Sequence, residues 1–164
     1  MTMKYLSNLV LAGSLLALAS TTSLAQEGNS TIKSYEFEGS YEDALFDLGE
    51  ALINKGLVID NQAKVANMLN RTAKDVGATK TVYKNGEVLE FCSAKLSRNA
   101  MEADPLNMAF CPYRMFVYET TAKPGFVTVG YPVLGGASGE ASKKALDAIN
   151  KLADDMVREV AGIE

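Results

Sequence analysis

Two cysteines nineteen positions apart constrain this chain more than anything else in it. Cys92 closes the run Glu90-Phe91-Cys92-Ser93-Ala94, and Cys111 opens Cys111-Pro112-Tyr113-Arg114-Met115-Phe116-Val117-Tyr118-Glu119, the most strand-like stretch present. Between them lies the chain's single Asp-Pro step, Asp104-Pro105. The residue before a proline avoids helical angles, so a helix beginning near Lys95 must stop by Ala103. The segment therefore reads as a strand ending at Cys92, a short helix, and a loop that delivers Cys111 to the next strand. An even cysteine count in an oxidising compartment suggests one disulfide. It would close a loop of roughly 20 residues, worth about 3 kcal/mol on the chain-entropy argument.

The N-terminus speaks to that compartment. A short segment carrying Lys4 precedes the apolar run from Leu9 to Ala19, and small polar residues lead to Ser23 and Ala25. This is the pattern of a secretory signal peptide over residues 1–25, with the mature chain starting at Gln26. The apolar run is too short to span a bilayer, which needs about 20 residues. No cysteine follows it to carry a lipid, so no membrane anchor is expected after processing. The expected location is periplasmic or secreted. The whole chain has a formal net charge of −4, one unit more negative once Lys4 leaves. An evenly mixed acidic surface argues against nucleic acid and against anionic lipid.

Taken in order, Thr31 to Glu38 alternates Tyr35 and Phe37 with charge and reads as a half-buried strand. Ser40 opens a capping box with Asp43, and Tyr41, Leu45, Leu48 and Leu52 follow at helical spacing to about residue 54, where Gly56 suits a left-handed stop. Leu57-Val58-Ile59 is a short strand. Asn61 can cap a second helix in which Val65, Met68, Leu69 and Thr72 share a face. Residues 79–84 and 87–93 flank Asn85-Gly86, a dipeptide that predicts a tight hairpin turn. Residues 113–121 and 126–131 form a second hairpin through Lys123-Pro124-Gly125. A final helix over 140–161 places Ala145, Leu146, Ile149, Leu152, Ala153, Met156, Val157 and Val160 on one stripe. One α+β domain over residues 31–163 follows: a mostly antiparallel sheet with the long first and last helices on one face.

The sequence contains no histidine, which removes the commonest metal ligand, general base and proximal haem ligand together. Neither a nucleophile elbow nor a phosphate loop is present. No catalytic residue, metal site or cofactor is therefore assigned. Redox thiols usually form Cys-x-x-Cys at a helix start, and these two do not. A soft copper(I) site from Cys92, Met101, Met108 and Cys111 is chemically reasonable, but the two methionines fit better as core filling. Arg114 lies in an apolar strand and Glu90 in its expected neighbour. Alternation puts Arg114, Phe116 and Tyr118 on one face. Glu90, Arg114 and Tyr118 are the candidate ligand-binding residues, against the alternative that the charges sit on the solvent face of a one-sided sheet.

Gly56-Leu57-Val58, Met68-Leu69-Asn70-Arg71-Thr72, Glu90-Phe91-Cys92-Ser93-Ala94, Met101-Glu102-Ala103-Asp104-Pro105, and Cys111-Pro112-Tyr113 leading to Val117-Tyr118-Glu119 together resemble the domain-of-unknown-function family 302, in its exported branch. The resemblance runs from about Tyr35 to Ile163. It implies a small α+β sandwich of the TATA-binding-protein-like class, often a homodimer, and no reaction. Many members place a cysteine after the proline of the last motif. Here Tyr113 stands there and Cys111 precedes Pro112, so no role of that arrangement carries over. Some exported members have a histidine near the position of Lys64, and its absence weakens any histidine-dependent metal or haem chemistry. The leading expectation is a non-enzymatic binding or accessory domain whose partner is a small ligand or an envelope protein. The alternative is an envelope redox or metal-linked protein using the Cys92/Cys111 pair. A small hydrolase is a distant third.

Overall fold

A computed structural model describes residues 31–136 and 138–163, and the expected signal peptide lies outside them. Five strands form one sheet in the order β1-β5-β4-β3-β2. They are β1 (Ile32–Glu38), β2 (Val58–Ala63), β3 (Tyr83–Cys92), β4 (Tyr113–Thr120) and β5 (Phe126–Pro132). Every neighbouring pair is antiparallel. Helices α1 (Tyr41–Asn54), α3 (Ala94–Ala103) and α4 (Glu140–Val160) accompany them, with a short α2 (Val65–Thr72) and a 3-10 turn at Pro105–Phe110.

Alternation along β4 sorts the two faces. Tyr113, Met115, Val117 and Glu119 are buried, while Arg114, Phe116 and Tyr118 are not. The buried set meets Leu89 and Phe91 of β3, Val127, Val129 and Tyr131 of β5, and the apolar stripes of α1 and α4. Leu48 and Leu52 from α1, and Leu146, Ile149, Met156 and Val157 from α4, complete that core. Each such side chain contributes about 1.5–3 kcal/mol by leaving water. Ser40 caps α1, its Oγ accepting from the Asp43 N–H at 3.3 Å. Ser40 Oγ also donates to Glu42 Oε2 at 3.2 Å, a side-chain bond beside the cap. Gly56 ends the helix at φ 71°, a left-handed angle that favours glycine.

Beyond β3, Ser93 caps α3 through the Leu96 N–H at 3.4 Å. Asp104 closes α3 and accepts from the Leu106 N–H at 2.9 Å, which starts the 3-10 turn where the sequence predicts only a loop. Buried Asn107 donates to the Ala100 carbonyl and to Ser142 Oγ, both at 2.7 Å, tying that turn to α3 and α4. Cys92 and Cys111 are bonded to each other, with Cα atoms 6.6 Å apart.

The predicted hairpin at Asn85-Gly86 is absent. β3 runs straight through these residues, with a register shift between Tyr83 and Asn85. A glycine inside a strand marks a bulge or a close approach as readily as a turn, and both apply here. A Cβ on Gly86 would lie 3.3 Å from Tyr118 Cβ and 3.6 Å from Ala66 Cβ. The glycine thus lets α2 lie down on β3. Asn61 is likewise no helix cap: it sits in β2 and donates to Glu90 Oε2 at 3.1 Å, and Lys64 precedes α2 instead. Met108 is 66% exposed on the 3-10 turn, so it is not core filling.

Candidate functional site

Among the described residues, α1 and α4 cover one face of the sheet and only α2 packs on the other, against β3. The strand register shows what that second face carries. Phe116 lies opposite Gly130 of β5 and Val88 of β3, and Tyr118 lies opposite Gly86. Each of the two aromatics thus has a glycine directly beside it. A Cβ on Gly130 would fall 2.5 Å from Phe116 Cζ and 2.5 Å from the Lys33 carbonyl oxygen. The Phe116 ring therefore lies down on the bare backbone of β5, an arrangement that satisfies an otherwise unpacked glycine. Tyr118 stacks on Phe116 with ring centres 5.9 Å apart and planes 16° apart. Tyr83 meets Tyr118 edge-on at 5.3 Å.

These rings floor an open groove of about 380 Å³. Val65 and Ala66 of α2 form one wall, Ile32 and Ser34 of β1 the other, and Val88 and Glu87 lie between, the Glu87 carboxylate accepting from Gln62 Nε2 at 2.6 Å. The volume falls in the range of small-molecule sites. Ser34 and the Tyr83 and Tyr118 phenols are its hydroxyl groups, and neither phenol bonds to another described residue. The arrangement suits stacking and apolar contact.

Of the three residues singled out from sequence, Tyr118 lines the groove. Arg114 and Glu90 form the next rung of the same face, directly opposite one another in the register. Arg114 is exposed and Glu90 half-buried. The Glu90 carboxylate is held by Asn61 of β2, and Arg114 takes part in no ion pair among the described residues. Phe116 was placed on this face by alternation but not singled out, and Tyr83, Val88 and the α2 wall were missed. The strand glycines Gly86 and Gly130 were the available signal, since each marks a place where an aromatic side chain or a helix comes close.

Two polar clusters lie elsewhere. Glu119 points inward with a side chain 4% exposed, accepting from Lys84 Nζ at 3.0 Å, Asn85 Nδ2 at 3.2 Å and the Gly125 N–H at 2.9 Å. The Gly125 amide and then Lys84 hold its carboxyl below the ordinary value. Asp154 of α4 accepts from the Tyr35 and Tyr131 hydroxyls at 2.9 and 3.3 Å and pairs with Lys33 at 3.0 Å. Burial alone would raise the Asp154 carboxyl, but the bonds from Lys33 and Tyr35 outweigh it and bring it down. Burial, then the Asp154 charge, push Tyr131 up to about 12. Both clusters fasten strands to turns or helices, and every group in them is satisfied. The Tyr41 hydroxyl is the exception: it is buried with no hydrogen-bond partner among the described residues. Burial, then the charge of nearby Glu87, raise its pKa, although Glu87 is not placed to accept the bond. Cys92 and Cys111 are half-buried at the end of the sheet. Among the described residues no group of three or more His, Cys, Asp or Glu is placed to hold a metal ion.

The profile of the family described as "Domain of unknown function DUF302" matches residues 33–161. No curated protein matches the chain. A solved structure titled "Crystal structure of uncharacterized conserved protein DUF302 from Bacillus stearothermophilus" superposes with a TM-score of 0.66 at 18% identity, covering 80% of this chain and 98% of that one. At that identity the likeness speaks for the fold alone, a five-stranded antiparallel sheet with helices packed against it. With the family profile spanning all five strands and all four helices but a few terminal residues, the chain belongs to the DUF302 family.

Proposed function

We propose that this chain is an exported, non-enzymatic binding domain that holds a small, largely apolar ligand with a planar body in the groove over the free face of its sheet. The observation that carries the reading is the aromatic floor. Three rings on three neighbouring rungs, one laid flat on a glycine, are presented to a concave space whose other lining is mostly aliphatic, with Ser34 and Glu87 as its polar residues. An ordinary solvent face of a one-sided sheet alternates in charged and polar groups, and this one does so only beyond the groove. Offset stacking on such rings adds about 0.5–1.5 kcal/mol beyond area burial, enough to orient a flat ligand. Export rests on the leader pattern at residues 1–25, and a half-buried disulfide fits an oxidising compartment.

The neutral probe N-phenyl-1-naphthylamine, whose fluorescence rises on leaving water, tests the groove. The protein should bind it saturably at one site. Tyr118→Ala removes floor, and Ser34→Trp fills the groove from an exposed position on β1, so each should weaken binding by about tenfold, the equivalent of one lost stacking contact. Unchanged affinity in both folded variants would remove the groove from consideration. The export half is read by intact mass of protein recovered from the periplasm. A mature chain starting at Gln26 is expected, and a full-length chain held in the inner membrane would contradict it.

A further inference from the structure

Resting on that groove reading, we infer that the ligand is an amphiphilic anion, its planar apolar body over Phe116 and Tyr118 and its carboxylate, sulfonate or similar oxyanion against Arg114. The groove is not chemically symmetric along the strands. Towards Tyr118 and Thr128 the next outward charges, Glu36 and Lys123, are paired with each other. Towards the other end lies the rung of Glu90 and Arg114, one step past Val88 and Phe116. Arg114 does not itself line the groove, but successive residues on one face of a strand are about 6.6 Å apart, so a side chain of arginine's length on this rung can swing to the groove's mouth. Ile32, on the β1 side of that end, lines the groove itself.

What makes Arg114 available is the disposition of its cross-strand neighbour. An opposite charge directly across an antiparallel pair would ordinarily be its partner. Here the Glu90 carboxylate turns the other way, to Asn61 Nδ2 at 3.1 Å. Arg114 is exposed and unpaired among the described residues, on a protein whose net charge is −4. A planar guanidinium is the side chain best matched to a two-oxygen anion, and it stacks on flat ligands as well. A neutral ligand would leave the arginine idle. A cationic one would meet it head-on.

The experiment displaces N-phenyl-1-naphthylamine with three naphthalenes of one shape and three charges: naphthalene-2-carboxylate, naphthalene-2-methanol and naphthalen-2-ylmethylammonium. The carboxylate should compete best, and its advantage should shrink as salt rises. Arg114→Gln should cost the carboxylate about three- to tenfold and leave the alcohol unchanged. Glu90→Gln should improve the carboxylate by about twofold, because it removes a like charge from the mouth. Arg114 is exposed, and a glutamine at position 90 keeps an oxygen for the Asn61 bond, so both variants should keep the wild-type melting temperature. If the alcohol or the ammonium competes as well as the carboxylate while the probe binds normally, the anion inference falls and the groove stands. The anion inference falls in the same way if Arg114→Gln shifts all three equally or none. If the probe does not bind at all, both fall together.

Discussion

Glu119 shows how much one side chain can hold. It sits on the inward face of β4, and its three donors come from Lys84 and Asn85 of β3 and from the Gly125 amide in the β4–β5 turn. A depressed carboxyl pKa in the folded state means the contribution is fully present above the ordinary value of 4.5 and is lost as pH falls below it through the folded value. Glu119→Gln keeps the shape but loses the charge, and should cost about 1–3 kcal/mol at neutral pH. In urea melts the gap between wild type and variant should close between pH 4.5 and more acid conditions; parallel curves would mean the carboxylate is not what the turn depends on. None of this was legible in the sequence, where Glu119 reads only as the end of a strand. Its partners lie up to 35 positions away and depend on the β3–β4 register. The glycines are the converse case. Gly130 was visible inside a strand, and only the register shows that Phe116 lies where its Cβ would be.

Among the elements, those with strong internal signals were legible: α1 with its Ser40 cap, α3 with its Asp104-Pro105 stop, α4 with its apolar stripe, and the β4–β5 hairpin. Between Leu57 and Phe91 a strand at Val58, the second helix and the strand over 87–92 were legible, but the Asn61 cap and the Asn85-Gly86 turn were not borne out, because the ordering there comes from neighbours. Asn85-Gly86 favours a turn locally, yet β4 offers β3 a longer pairing than a hairpin with residues 79–82 would. The Val82 carbonyl goes instead to the Thr121 N–H at 3.0 Å. α2 is the extreme case. It has no side-chain N-cap, a single buried residue in Ala66, and only the glycine-smoothed surface of β3 beneath it. An eight-residue helix so supported has little stability of its own. Hydrogen exchange should therefore find the amides of Val65–Thr72 exchanging well before the central turns of α1 and α4. Saturating N-phenyl-1-naphthylamine should slow α2 selectively, since Val65 and Ala66 wall the groove. Equal protection of all three helices without ligand would show that α2 is a fixed wall.

Across the whole molecule, the disulfide and the groove occupy the same sheet face but different ends of it. Gly86, Val88 and Glu90 mark successive rungs of the free face, and Cys92 stands one rung further. Cys92 is thus about 13 Å along β3 from the rung that carries Phe116. The bond fastens the end of β3 to the loop that follows the 3-10 turn, so it shortens the unfolded chain without touching the groove floor. Replacing both cysteines with serine should lower stability by about 2–4 kcal/mol, the chain-entropy value for a loop of this length. The core formed by α1, α4 and the inward strand residues should still hold the fold. Affinity for N-phenyl-1-naphthylamine should then stay within about twofold of wild type, since no groove residue is altered and remote effects are small. Chemical denaturation and probe titration of the double variant read both quantities on one sample. A variant that folds and loses the probe would tie the cysteine pair to binding itself, by holding Arg114 and its rung in place. A variant that folds, binds the probe and fails in the cell would return attention to the redox reading of Cys92 and Cys111.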